Sequence, residues 1–81
     1  MQASTRRDQA AEIVARVLRL EVSEVGPDGR MDVTPKWDSL AQLSILTAIE
    51  QECGVSIEPE DAVELTSVPA LAEFLEKVSP Q

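Results

Sequence analysis

Residues 34–46 read TPKWDSLAQLSIL, and the fold turns on how this stretch is taken. Asp38 has the short acceptor side chain of an N-cap, so a helix is expected to start at Ser39. It can run to about Cys53, where Gly54 offers a left-handed stop and Val55 the apolar contact of a Schellman-type ending. At about 100° per residue, Ile45, Ile49 and Cys53 cluster on one side with Leu46 nearby, which makes that side the core face. Leu40 falls on roughly the opposite side with Thr47 close to it, and Leu43 lies between the outer surface and the core. A serine in the first turn and an outward leucine after it are the features to be explained.

The flanking sequence supplies three more helical segments. Upstream, Thr5 and Asp8 give a capping-box-like start, and Ala10, Ile13, Val14, Val17 and Leu18 recur at helical spacing to about Leu20. Arg6, Arg7, Glu12, Arg16 and Arg19 occupy its solvated face. Residues 21–37 read as a long connection with a Gly26-Pro27-Asp28-Gly29 turn and with Thr34 held extended by Pro35. Val22, Val25, Met31 and Val33 are the residues expected to pin it. Downstream, Pro59 followed by Glu60 and Asp61 suits the first turn of a short helix to about Leu65. Ser67 can cap a last helix with Pro69 in its first turn; Val68, Leu71, Ala72, Leu75 and Val78, with Phe74 beside them, form its buried face, and fraying is expected near Ser79 and Pro80. No period-two alternation or internal repeat competes. The expected fold is all-α: a four-helix bundle with a long loop between helices one and two and a short third helix.

Eighty-one residues suit one domain, residues 1–81, with a single modest core. Trp37 and Phe74 are the only aromatics, so that core must be largely aliphatic. One cysteine, Cys53, cannot form an internal disulfide, and no charged leader or bilayer-length apolar run is visible, which together predict a reducing, cytoplasmic setting. Fifteen acids against seven bases give a net charge of −8. From Trp37 to Glu76 there are nine acids and no Lys or Arg. That distribution argues against nucleic acid and anionic membrane, both of which need concentrated positive charge, and suits a basic protein surface. The chain has no histidine to act as base for a nucleophilic Ser39, and no His or Cys cluster for a metal.

A solitary exposed leucine and an Asp-Ser helix start are each common. Their setting adds more: free backbone N–H groups, the positive end of the helix dipole, and a first-turn hydroxyl, which together would carry an anionic group such as a phosphodiester on Ser39. Asp38-Ser39-Leu40 resembles the Asp-Ser-Leu signature of acyl carrier proteins. The similarity continues through a helix ending near Gly54, Ile57 ahead of Pro59 and its acids, and Leu65-Thr66-Ser67-Val68 leading into the final helix. The fold implied is the acyl-carrier-like bundle. The function implied is that of a carrier and not an enzyme: Ser39 is the attachment point for 4′-phosphopantetheine from coenzyme A, whose thiol holds acyl or aminoacyl groups as thioesters, with Asp38 and Leu40 beside it.

The same resemblance implies a phosphopantetheinyl transferase, an acyl- or aminoacyl-loading enzyme, and synthase or transferase partners with basic docking patches. A monomer is expected. Leu40, Leu43, Glu50, Glu58, Glu60, Asp61 and Glu64 are the candidate contacts for those partners, though Glu50 and Glu52 sit against the dipole in the last turn of helix two and charge runs are often only solvated faces. Lys36 and Trp37 stand where many fatty-acid carriers have a glycine two residues before the motif, and Ala41, Gln42 and Ser44 are uncharged where those carriers have acids. The Trp-Asp-Ser-Leu form looks more like carriers of specialised polyketide, modified-fatty-acid or peptide-type pathways. Trp37 also reads as an amphipathic cover for one end of the core, and Cys53 as a small buried hydrophobe. The other function that fits is an unmodified helical interaction module that binds a basic partner.

Overall fold

The structure, a computed structural model, describes residues 2–78. Alanine and β-branched residues at helical spacing build its central element, α1 (Gln2–Leu18), whose Ala10, Ala11, Ile13, Val14, Ala15 and Leu18 are all buried. This helix begins three residues before the expected Thr5 start, so Thr5 lies within it. It also stops at Leu18 rather than about Leu20, because Arg19 turns left-handed (φ 60°) and the Leu20 N–H closes back onto the Ala15 carbonyl at 2.9 Å. The six-to-one closure is the Schellman pattern, here built without glycine.

The expected open connection contains a short helix, α2 (Val22–Val25). It is held at its start by the Glu21 N–H donating to Glu24 Oε1 at 2.9 Å. Of the four residues expected to pin the loop, Val25 is buried and Met31 packs against the core, whereas Val22 and Val33 are exposed. Backbone bonds do the remaining work: the Val68 N–H donates to the Gly29 carbonyl (2.8 Å) and the Met31 N–H to the Thr66 carbonyl (2.9 Å). They form an isolated antiparallel bridge between Arg30 and Ser67, and no strand occurs among the described residues. Glycine is required at position 29, since a Cβ there would meet the Val25 carbonyl oxygen at 2.6 Å.

The helix expected from the opening stretch is α3 (Ser39–Cys53), with Ile45 and Ile49 completely buried. Gly54 ends it left-handed (φ 66°), and the Gly54 and Val55 N–H groups both reach the Glu50 carbonyl, at 2.9 and 3.2 Å. Next comes α4 (Pro59–Ala62), shorter than expected. After Ala62 the chain tightens into i−3 bonds, Glu64 to Asp61 and Leu65 to Ala62, which carry the Leu65 side chain into the core. Finally α5 (Val68–Val78) is capped by Ser67 Oγ, which accepts from the Ala70 N–H at 3.2 Å. The fraying expected near Ser79 and Pro80 lies outside the described residues. The all-α expectation therefore holds, with α2 added to the four expected helices.

Packing places α1 against α2, α3 and α5. The molecule measures 31 × 30 × 18 Å, less than two helix diameters in its short dimension, so each helix keeps an outer face. An Arg6–Glu76 ion pair of 3.5 Å joins α1 to α5, and Arg16 pairs with Glu52 across α1 and α3.

Candidate functional site at the start of α3

Asp38 approaches α3 in extended conformation, and its Oδ1 accepts the Ala41 N–H at 2.9 Å. Its carbonyl accepts the Gln42 N–H at 2.9 Å. The Ser39 and Leu40 N–H groups are the orphan donors of the first turn and have no intrahelical acceptor. Ser39 is exposed, so its hydroxyl is open to a modifying enzyme beside those amides and the positive end of the helix dipole.

The stretch before it is tightly folded. The Trp37 N–H donates to the Thr34 carbonyl (3.2 Å), and the Trp37 carbonyl accepts the Asp32 N–H (2.9 Å). Thr34 is buried, and its Oγ1 accepts the Arg30 N–H at 2.9 Å. Lys36 is left-handed (φ 69°). That conformation is the one glycine adopts without steric cost, so Lys36 takes up with strain the backbone shape that a glycine would give at this place. Trp37 is 2% exposed and belongs to the core, as its amphipathic reading expects.

Gln42 was not among the expected site or core residues, yet it is 7% exposed. Its Oε1 accepts the Trp37 Nε1–H at 2.7 Å and its Nε2 donates to the Leu65 carbonyl at 2.6 Å. The signal was present in the spacing: positions 42, 45 and 49 fall on one face, but polarity argued for the surface.

Leu40 is 76% exposed and Leu43 63%, so Leu43 belongs with the outer surface. Thr47 Oγ1 donates to the Leu43 carbonyl at 2.9 Å, and α3 has no charged side chain from Leu40 to Ala48. Among the candidate docking acids, Glu58, Glu60 and Glu64 are exposed and Asp61 is half-buried. Asp61 and Glu64, with Glu73 and Lys77, rim a cleft of about 130 Å³ between α4 and α5, over Leu65, Ala70 and Phe74. Glu50 differs: it is half-buried, and its Oε2 accepts the Ile57 N–H at 2.7 Å. Both acids in the last turn of α3 thus have internal partners, Glu50 at Ile57 and Glu52 at Arg16, which explains their tolerance at that end of the dipole. The Cys53 thiol is pushed up by burial and by Glu52, with Arg6 opposing. It therefore stays protonated and packs against the core.

No His, Cys, Asp and Glu grouping among the described residues could hold a metal. None of the described helices is long and apolar enough to cross a membrane.

A family model described as a phosphopantetheine attachment site matches residues 8–75. The chain is 33% identical over 70 residues to an acyl carrier protein of Solidesulfovibrio magneticus, covering 86% of this chain and 90% of that one. It is 36% identical over 63 residues to an acyl carrier protein of Streptomyces coelicolor, covering 78% and 68%. It is also 35% identical over 69 residues to polyketide-8 synthase acyl carrier protein 2 of Streptomyces avermitilis, covering 85% and 79%.

Proposed function

Since the chain belongs to the acyl carrier protein family, a group of carriers and not enzymes whose prosthetic group is 4′-phosphopantetheine, we propose that Ser39 is the residue that bears it. The observation that carries this reading is the exposed Ser39 hydroxyl in the first turn of a helix of 15 residues, with Asp38 capping from outside. Donor chemistry fits the group: the unpaired Ser39 and Leu40 amides and the dipole offset the phosphodiester charge. When attached, the arm supplies a terminal thiol on which an acyl or aminoacyl group is held as a thioester. The protein's own part is to hold the attachment point in the open and to present surfaces that partner enzymes recognise.

Those surfaces are Leu40 and Leu43 on α3 for apolar contact, and Glu58, Glu60, Asp61 and Glu64 for basic patches, with Glu50 contributing only the carboxylate oxygen not engaged by Ile57. The partners are a phosphopantetheinyl transferase, a loading enzyme, and synthase or transferase enzymes. A specialised polyketide, modified-fatty-acid or peptide-type pathway fits better than housekeeping fatty-acid synthesis. Lys36-Trp37 before the motif and the uncharged Ala41, Gln42 and Ser44 after it support that choice, as does the similarity to a carrier named for a polyketide synthase.

The test is intact-mass measurement after incubation with coenzyme A and a promiscuous phosphopantetheinyl transferase. One phosphopantetheine should be added to the wild type and none to Ser39→Ala. A folded wild type whose mass does not change would overturn the assignment.

A further inference from the structure

Ser39 lies between two buried side chains that are bonded to each other. Trp37 precedes it by two residues and Gln42 follows by three, and the indole N–H to Gln42 Oε1 bond of 2.7 Å closes the segment on its inner side. On the outer side, Asp38 closes the same segment through the Ala41 N–H and the Gln42 N–H. The amide of Gln42 cannot swing, because its other end donates to the Leu65 carbonyl at 2.6 Å. Buried amides of this kind persist only with their partners satisfied, and no buried side-chain polar atom among the described residues lacks one. Helix formation needs none of this: Asp38 supplies the cap, and Ile45 and Ile49 supply the buried face. A leucine or methionine at position 42 would extend that face but would strip the Trp37 indole N–H and the Leu65 carbonyl of their partner.

We propose that Gln42 is a positioning residue for the modification of Ser39, acting through Trp37 to fix the hydroxyl at the mouth of the first turn. This rests on Ser39 being the attachment point. Transfer joins Ser39 Oγ to the pantetheine-side phosphorus of coenzyme A and breaks the pyrophosphate bond. It frees adenosine 3′,5′-bisphosphate and releases the hydroxyl proton to the transferase or to solvent. The reaction is therefore sensitive to where the oxygen sits, since misplacement by an ångström can cost about a hundredfold in rate. Gln42 holds that place from beneath, through Trp37 and Leu65, while Leu40 and the α4 acids meet the enzyme.

The experiment is steady-state transfer from coenzyme A by a promiscuous phosphopantetheinyl transferase, at a temperature where far-ultraviolet circular dichroism shows each variant folded. For Gln42→Met, kcat should fall about tenfold while KM for the carrier moves by less than about twofold. Trp37→Phe should show the same split and should not add to Gln42→Met in the double variant. Val14→Ala, a core truncation on α1 that leaves the Trp37–Gln42 hydrogen bond its partners, serves as a control for lost stability. An unchanged kcat in both variants, a loss confined to KM, additive losses, or an equal loss in Val14→Ala would each overturn the proposal while leaving Ser39 as the attachment point. Absence of modification in the wild type would instead remove the Ser39 reading, and this inference with it.

Discussion

Lys36 shows how a single backbone angle can be set against its own side chain. A left-handed lysine costs about 1 kcal/mol or more relative to glycine in the folded state, partly offset because glycine loses more freedom on folding. Lys36→Gly should therefore raise stability by about 0.5 kcal/mol, read as a higher urea midpoint at unchanged slope, and leave Ser39 modification intact. Sequence reasoning marked Lys36 only as a departure from glycine. Lys36 has the backbone shape of a glycine without being one, and chemical identity alone does not reveal a dihedral angle. Asp38, Ser39 and Leu40 were legible because capping and exposure follow from local chemistry. Gln42 was not, because a buried amide is stable only with partners at Trp37 and Leu65, and the one at Leu65 is 23 residues away.

At the scale of elements, the acids of α3 and of the α4 segment differ in what holds them. Glu50 holds the start of the α4 segment through the Ile57 N–H, so Glu50→Ala should lower stability by about 1 kcal/mol in chemical denaturation. Glu60 and Glu64 are exposed, and their exchange for glutamine should leave stability within about 0.5 kcal/mol. That exchange should instead slow association with a basic partner enzyme and flatten the dependence of its rate on ionic strength, measured by stopped flow. A wild-type association rate insensitive to salt would count against the acids as a docking surface. The long helices were readable from periodicity at both ends of the chain. The short ones were less so: α2 is a single turn closed by the Glu21–Glu24 capping box and by the Gly26 N–H on the Val22 carbonyl, and α4 ends where Leu65 is drawn inward, which is decided by the core and not by the local sequence.

Across the whole molecule, the connection between α1 and α3 is tied to the segment before α5 by backbone hydrogen bonds, although it contains only one helical turn of its own. Its anchor is the paired backbone at Gly29, Met31, Thr66 and Val68. Gly29→Ala would force a methyl group to within 2.6 Å of the Val25 carbonyl oxygen. It should cost about 2 kcal/mol or more in thermal unfolding. No sequence pattern announced this bridge, since its two halves lie nearly forty residues apart and each contains only ordinary loop residues. The bridge also bears on grafting foreign sequence into this chain: its two bonds are made by main-chain atoms alone, so a transplanted stretch should keep them whatever its side chains, provided glycine stays at position 29.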